Sequence, residues 1–159
     1  VFYFELDLKT SNEPKRRITP KNSAPNVEKN ITFISDKKFK IMLVEDNSIN
    51  MFLLKTIILK IVPKATIFEI KNGLEAVNQF QTILPDIIFM DIQMPVMNGY
   101  EATKSIRNLK SGDSTPIIAI TAGTEKEEKS KCIEIGMNEY ISKPIVKGVI
   151  EETLSKWLN

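Results

Sequence analysis

Apolar and polar positions alternate in blocks along residues 39–159. Short apolar runs are each followed by a longer segment in which apolar residues recur at helical spacing. The short runs are typical of buried strands, and the longer amphipathic segments are typical of helices. The predicted strands are 40–44, 65–70, 86–90, 116–120 and 139–142. The predicted helices are 48–61, 74–82, a segment from the loop at Gly99 to about 109, 125–135 and 145–158.

Strands and helices that alternate in this way favour an α/β fold, with a parallel sheet covered by helices on both faces. The strands are apolar on both sides, as burial between two helix layers requires. Asn47 or Ser48 would cap the first helix, and Pro63 would end it. The residues of that helix expected to face the sheet are Ile49, Phe52, Leu53, Ile57 and Ile61.

The first 38 residues differ in composition from the rest. Residues 1–8 begin with aromatic side chains and then alternate apolar and acidic ones, which predicts a single strand that needs a partner sheet. Residues 9–38 contain Pro14, Pro20 and Pro25 among many Lys, Asn and Ser, and are predicted to be a flexible linker. Residues 39–159 would then form one domain of ordinary size.

The composition excludes several kinds of chemistry. The chain has no His, so it can form no Ser-His-Asp triad and no imidazole metal site, and it can carry no phosphohistidine. Its one Cys, Cys132, excludes an internal disulfide and favours a reducing, cytoplasmic setting. The net charge of +2 is unevenly spread, since residues 1–38 carry +3, whereas residues 39–159 carry 14 basic and 15 acidic side chains and are slightly acidic. We therefore expect no nucleic acid partner.

The apolar stretches are too short to span a bilayer, since the longest of them, residues 51–62, contains Lys55 and Lys60. No membrane contact by this fragment is expected, although a longer parent protein could be anchored in a membrane.

Charged and hydroxyl side chains follow the predicted strands directly. Glu45 and Asp46 follow the first strand, Asp91 the third, Thr121 the fourth and Lys143 the fifth. Parallel strands bring these ends to one edge of the sheet, where ligands of such folds bind. Three neighbouring carboxylates repel one another, and a hard cation such as magnesium (Mg²⁺) relieves that repulsion. The set suits phosphoryl transfer, with a carboxylate as the nucleophile and the lysine and hydroxyl facing the phosphoryl oxygens.

Four segments, in this order and at this spacing, resemble the receiver domains of two-component response regulators. The resemblance covers about residues 39–159, with 45 residues from Asp46 to Asp91, 30 more to Thr121 and 22 more to Lys143. It implies a flavodoxin-like, CheY-like (βα)5 doubly wound sheet with strand order 2-1-3-4-5. The segments are Ile-Met-Leu-Val-Glu-Asp-Asn (41–47), Ile-Ile-Phe-Met-Asp-Ile-Gln-Met-Pro-Val-Met-Asn-Gly (87–99), Ile-Ile-Ala-Ile-Thr-Ala (117–122) and Tyr-Ile-Ser-Lys-Pro (140–144).

The resemblance implies a role for each residue at the predicted edge. Asp91 would be the phosphoacceptor, in a Mg²⁺-dependent reaction that the domain catalyses on itself. Glu45 and Asp46 would hold Mg²⁺ together with Asp91 and the backbone carbonyl of Gln93. Lys143 would contact the phosphoryl group.

The resemblance also implies residues that shape the site or respond to it. A cis bond to Pro144 would set Lys143, and Gly99 would be the turn glycine that lets the third loop pass close to the site. Thr121 would be the switch hydroxyl and Tyr140 the switch aromatic.

Two further segments bear on the lifetime of the phosphoryl group and on signalling. By the same resemblance, Gln93 and Gly123 flank the route of the water that removes the phosphoryl group, and Gly123 has no side chain to orient that water. The charged run 125–129 is typical of a solvated helix face, and in this family it borders the signalling surface.

The partners follow from the same resemblance. The donor would be a phosphohistidine on a histidine-kinase domain, and the next acceptor would be a histidine phosphotransfer protein. Residues 1–8 resemble the closing strand of the ATP-binding domain of a sensor histidine kinase. The order of kinase end, linker and receiver is that of a hybrid histidine kinase.

Three alternatives share parts of this pattern. A haloacid-dehalogenase-like phosphatase uses an aspartyl phosphate but needs an acidic residue where Gln93 stands. A flavodoxin-like FMN binder needs a phosphate-binding loop where Glu45 and Asp46 stand. A phosphorylation-independent docking module of the same fold would not need an intact acidic site.

Overall fold

The computed structural model describes residues 37–123 and 126–158, without the side chains of residues 126 and 127. The strand predicted at 1–8, and all but the last two residues of the linker predicted at 9–38, lie outside the described residues. The strands are β1 (Lys40–Val44), β2 (Thr66–Ile70), β3 (Ile87–Asp91), β4 (Ile117–Thr121) and β5 (Glu139–Ser142). All pairs are parallel, and the strand order β2-β1-β3-β4-β5 confirms the predicted topology.

Five helices connect or follow these strands within the described residues. None of them combines the length and the apolar character that a membrane crossing would require. The last helix begins two residues later than predicted, because Val146 still has an extended backbone. The helices are α1 (Ser48–Ile61), α2 (Gly73–Ile83), α3 (Gly99–Arg107), α4 (Lys126–Glu134) and α5 (Lys147–Trp157).

The sheet separates two apolar clusters, one on each face. Phe89 of β3 belongs to the cluster formed with α1 and α5. Its neighbour Met90 belongs to the cluster formed with α2, α3 and α4. Successive side chains of a strand point to opposite faces, so strands covered on both sides must be apolar throughout. The doubly wound architecture expected from the sequence is thereby confirmed.

The predicted inner face of α1 is partly wrong. Ile49 and Phe52 are 75% and 71% exposed, and Leu53 is also exposed. Apolar residues occur on every side of this helix, so periodicity alone does not identify the buried face, and an error of one position turns that face by about 100°. The side chains that α1 buries are Met51, Leu54, Ile58 and Ile61.

Asparagine side chains cap three of the helices, α1, α2 and α3, that leave the carboxyl edge, the edge at which the parallel strands end. Asn47 caps α1 by accepting hydrogen bonds from the backbone N–H groups of Ile49 and Asn50, which decides between the two predicted caps. Asn72 and Asn98 cap α2 and α3 in the same way. Such caps satisfy N–H groups that have no partner within the helix. They fix the short loops that carry the polar residues of this edge.

Candidate metal centre at the carboxyl edge of the sheet

Three carboxylates converge where β1 and β3 end. One oxygen from each of Glu45, Asp46 and Asp91 lies within 4.8 Å of the other two. Since β1 and β3 are neighbours and Val44 is aligned with Met90, the residues that follow come side by side. Glu45 and Asp91 are only 2% and 3% exposed, whereas Asp46 is open to solvent. The fold therefore brings together the acidic side chains predicted to share one site.

Lys143 joins two of these carboxylates. Its Nζ lies 2.8 Å from Asp91 Oδ2 and 3.0 Å from Glu45 Oε2. Its backbone N–H donates to the carbonyl oxygen of Thr121 at 2.7 Å, and the peptide bond to Pro144 is cis, as the resemblance implies. Because β4 lies between β3 and β5, the lysine reaches across the end of β4 to the acidic pair. A buried carboxylate is tolerated when a partner of opposite charge contacts it in this way.

The Glu45 carboxylate has further partners that the sequence did not reveal. Its Oε1 accepts from the Asn47 N–H at 3.2 Å and from Asn50 Nδ2 at 3.1 Å. Asn50 therefore orients a candidate metal ligand from the first turn of α1. The sequence offered one sign of this role, since Asn50 is a weak helix former that stands inside a helix between the apolar residues Ile49 and Met51.

Burial and charge shift the proton affinities of this cluster. Burial raises the pKa of Asp91 above its ordinary value, and the negative charge of Glu45 acts in the same direction, against the hydrogen bond from Lys143. Burial alone would lower the pKa of Lys143, but its hydrogen bonds to Asp91 and Glu45 outweigh burial and raise it. The lysine is therefore a cation at neutral pH, and the cluster suits a partner that brings more positive charge.

The loop after β3 passes very close to the site. A side-chain carbon at Gly99 would overlap the carbonyl oxygen of Asp91, and the Gly99 N–H donates to the Ile92 carbonyl oxygen at 3.0 Å. The Gln93 N–H donates to Asp91 Oδ1 at 3.3 Å. Any larger residue at position 99 would push the loop away from Asp91. This close approach agrees with the role expected of that glycine.

The two predicted switch residues lie in different surroundings. Thr121 is buried at the end of β4, where its Oγ1 accepts from the Gly123 N–H at 3.0 Å. Tyr140 is half-buried two residues before the end of β5, in the groove beside α4, with Lys129 Nζ 4.7 Å from the centre of its ring. The structure thus places Thr121 at the same edge as Asp91 and Tyr140 apart from the carboxylates.

The donor set fits a hard divalent cation. All three side chains offer carboxylate oxygens, which are the ligands that Mg²⁺ prefers, and the exposed Asp46 leaves one side open for water ligands. Gln93 borders the same cleft as Asp46. No second group of three such ligands occurs in residues 37–123 and 126–158.

The geometry bears on two of the alternative functions. Gln93 follows Asp91 by two positions, and an amide cannot exchange a proton as a phosphatase acid would. Glu45 and Asp46 occupy the loop after β1 where an FMN phosphate would need N–H donors, and their negative charges would repel it. Neither alternative gains support from the arrangement of the site.

The comparisons with known proteins point to one family. The model of the response regulator receiver domain matches residues 41–155. Hybrid signal transduction histidine kinase I of Dictyostelium discoideum is 38% identical over 123 residues, which cover 73% of this chain and 7% of that protein. The chain spans between 3% and 16% of the length of the curated relatives it matches most strongly.

Two solved structures resemble the chain closely. The receiver domain of the sensor histidine kinase PA1611 from Pseudomonas aeruginosa, which holds a magnesium ion in its active-site cleft, is 31% identical with a TM-score of 0.70, over 77% of this chain and 98% of that one. The co-crystal structure of the Saccharomyces cerevisiae histidine phosphotransfer protein Ypd1 and the receiver domain of Ssk1 gives 32% identity and a TM-score of 0.69, over 76% of this chain and 88% of that one.

The sheet order, the acidic cleft bridged by a lysine and the match over residues 41–155 agree with one another. The chain belongs to the response regulator receiver family, and it contains a receiver domain of phosphorelay signalling.

Proposed function

We propose that Asp91 is the phosphoacceptor of this receiver domain. The observation that carries the proposal is the Lys143 ammonium 2.8 Å from a buried Asp91 carboxylate within an acidic cluster. An Asp91 oxygen attacks the phosphorus of a phosphohistidine, the phosphorus–nitrogen bond breaks, and the imidazole leaves. Lys143 then faces the phosphoryl oxygens and offsets their charge. The same cation that now pairs with Asp91 thus stabilises its phosphorylated form.

Four groups are proposed to hold Mg²⁺: the carboxylates of Glu45, Asp46 and Asp91 and the backbone carbonyl of Gln93. The convergence of the three carboxylates supports this ligand set. When bound, the ion supplies positive charge that neutralises the phosphoryl oxygens during transfer. Asn50 and Lys143 keep Glu45 in position by binding both of its oxygens.

Thr121 and Tyr140 are proposed to report the phosphorylated state. The Thr121 hydroxyl now accepts a hydrogen bond from Gly123 and would turn to donate one to a phosphoryl oxygen. Tyr140 lies in the groove between β5 and α4, and its ring would move inward behind the Thr121 hydroxyl. The charge added at Asp91 would thereby alter the surface formed by α4 and β5.

A histidine phosphotransfer protein is the proposed acceptor of the phosphoryl group, and a histidine-kinase domain is the proposed donor. Exposed apolar side chains surround the carboxyl edge, including Ile49 and Phe52 on α1, Val96 in the β3–α3 loop and Val146 before α5. Apolar patches beside a polar centre are typical of protein interfaces. The complex of Ypd1 with a similar receiver domain supports this type of partner.

The parent protein is proposed to be a hybrid histidine kinase that acts in the cytoplasm. Residues 1–8 would end its ATP-binding domain, and residues 9–38 would link that domain to the receiver. The kinase relatives and the small share of their length that the chain spans support this proposal. Sequencing the gene upstream of Val1 tests it, and an upstream region with no ATP-binding domain would contradict it.

The phosphoacceptor proposal is tested by incubating the chain with Mg²⁺ and acetyl phosphate and measuring its intact mass. We expect the wild type to gain one phosphoryl group and Asp91→Asn to gain none. Asp113→Asn is the matched control, because Asp113 is an exposed aspartate outside the site, in the α3–β4 loop. Beryllofluoride should shift the Tyr140 signals in NMR spectra of the wild type and of the control variant only.

Three results would contradict the proposal. Phosphorylation that persists in Asp91→Asn would place the acceptor elsewhere. A wild-type chain that stays unmodified would favour the docking module, and steady turnover of a small phosphomonoester would favour the phosphatase.

A further inference from the structure

The carboxylate of Glu128, on α4, rests against the backbone of Gly123. A side-chain carbon built at Gly123 would overlap Glu128 Oε2 and would lie 3.1 Å from Oε1. Glu128 therefore fills the space that a side chain at position 123 would occupy. The Gly123 N–H donates to Thr121 Oγ1 at 3.0 Å, so Gly123 contacts both the Glu128 carboxylate and the hydroxyl at the end of β4.

Glu128 also borders a water-accessible cavity that reaches the site. The cavity has a volume of about 840 Å³ and opens between the β3–α3 loop and α4. Asp46 and Gln93 line one side of it, and Glu128 and Lys131 line the other. Asp46 is a candidate metal ligand and the Gln93 N–H binds Asp91, so the cavity that Glu128 borders runs along two groups of the acidic site.

We propose that Glu128 holds the water molecule that hydrolyses the aspartyl phosphate. The inference rests on the proposed role of Asp91. Gly123 has no side chain to orient a water molecule, and the atoms nearest to the place of such a side chain belong to the Glu128 carboxylate. A carboxylate that accepts a hydrogen bond from water both orients the water and increases its nucleophilicity. Glu128 would thus shorten the life of the signal.

The hydrolysis step uses only groups already named. The water oxygen forms a bond to phosphorus while the bond from phosphorus to the Asp91 oxygen breaks. Asp91 leaves as a carboxylate, and the water gives one proton to Glu128. That proton then passes to solvent through the open cavity, and inorganic phosphate departs. Atoms and charge balance, and no further reactant is needed.

The test measures how long the phosphoryl group survives on the full chain. The protein is phosphorylated with acetyl phosphate and Mg²⁺, the donor is removed, and the phosphorylated fraction is followed by intact mass. Glu128→Gln is expected to lengthen the half-life on the order of tenfold. The effect is smaller than that usually seen when an enzyme loses its general base, because bulk water still enters the cavity and can react. Glu134→Gln, on the same helix but in the groove beside Tyr140, should leave the half-life unchanged.

A second substitution reaches the same group from the other side. Gly123→Ala adds a carbon that displaces the flexible end of Glu128, so it should also lengthen the half-life. The double variant Gly123→Ala/Glu128→Gln should resemble Glu128→Gln, because the displaced carboxylate is already absent. The rate of phosphorylation and the affinity for beryllofluoride should be unchanged in each variant. A substitution that loosened the whole site would change both.

Several results would overturn the inference. One is an unchanged half-life in Glu128→Gln, and another is an equal change in Glu134→Gln. A longer half-life accompanied by tighter beryllofluoride binding would show that Glu128 only repels the phosphoryl group. A wild type that is never phosphorylated would contradict the proposed function itself, whereas a phosphorylated wild type with unaltered variants would contradict only the role of Glu128.

Discussion

The middle of β3 and its carboxyl end contain buried side chains of opposite character. Phe89 is fully buried among apolar residues of α1, α5 and the neighbouring strands. Asp91, two positions later, is almost as deeply buried but faces Lys143 and Glu45. The first environment stabilises the fold through removal of apolar surface from water. The second removes charges from water, which costs stability unless partners compensate.

The contrast shows that the carboxyl edge of the sheet, which holds the reactive groups, is less favourable for folding stability than the apolar middle of the sheet. The apolar part of the sheet has no such conflict, since every strand residue there gains from burial. At the carboxyl edge the raised pKa of Asp91, caused mainly by burial, shows that its charge is incompletely compensated. A group in that state is ready to accept a cation or to become covalently modified. The following variants test whether the two regions differ in this way.

The largest effect is expected from Phe89→Ala. Removing a fully buried aromatic side chain loses apolar burial and leaves a cavity, so the free energy of unfolding should fall by roughly 3–5 kcal/mol. Urea unfolding followed by circular dichroism measures this loss. A decrease smaller than that of Lys143→Met would contradict the idea that stability resides in the middle of the sheet.

A smaller loss is expected from Lys143→Met. The substitution leaves Glu45 and Asp91 without their shared cation, and the free energy of unfolding should fall by about 2 kcal/mol because the lysine is still 23% exposed. Lys147→Met is the matched control, since Lys147 pairs with Glu151 on the surface and should contribute less than about 0.5 kcal/mol. Equal losses in the two variants would remove the distinction between edge and surface. Lys143→Met should also impair phosphorylation.

The pH dependence of the free energy of unfolding tests whether the Asp91 charge is incompletely compensated. Because burial raises the pKa of Asp91, the folded state binds that proton more tightly than the unfolded state does. Stability then falls as pH rises from the ordinary pKa to the raised one, and the loss persists above it. Asp91→Asn removes this loss, so its stability relative to the wild type should increase from about pH 4 to about pH 7.

Urea unfolding of both proteins in EDTA at the two pH values tests this expectation. The measured quantity is the difference between the two free energies of unfolding, which cancels the titration of groups that the proteins share. A constant or shrinking difference would show that the Asp91 charge is fully compensated by Lys143.

The smallest effect on stability is expected from Phe52→Ala. Phe52 is 71% exposed, so the free energy of unfolding should change by less than about 0.5 kcal/mol. Ile58→Ala, on the buried face of the same helix, should lower it by roughly 2–4 kcal/mol. If the exposed face of α1 binds the phosphotransfer partner, Phe52→Ala should slow transfer to that partner and leave phosphorylation by acetyl phosphate unchanged.

Much of the fold could be predicted from local patterns. The apolar runs specified all five strands, and their alternation with helices specified a parallel sheet with two covered faces. The acidic cluster was predictable too, because parallel strands necessarily end at one edge, and acidic residues lie directly after β1 and at the last position of β3. Periodicity failed for α1, whose apolar residues lie on all sides, so only packing against the sheet selected Met51, Leu54 and Ile58 for burial.

The sequence by itself determined the architecture and the identity of the edge residues, since strand periodicity and the position after a strand are local properties. Tertiary structure alone decided which distant groups meet. Lys143 lies 52 residues after Asp91 and 98 residues after Glu45 in the sequence, yet its ammonium contacts both carboxylates. Such contacts depend on how β1, β3 and β5 are placed in the sheet. That placement results from the packing of the whole core, and no single segment of the sequence encodes it.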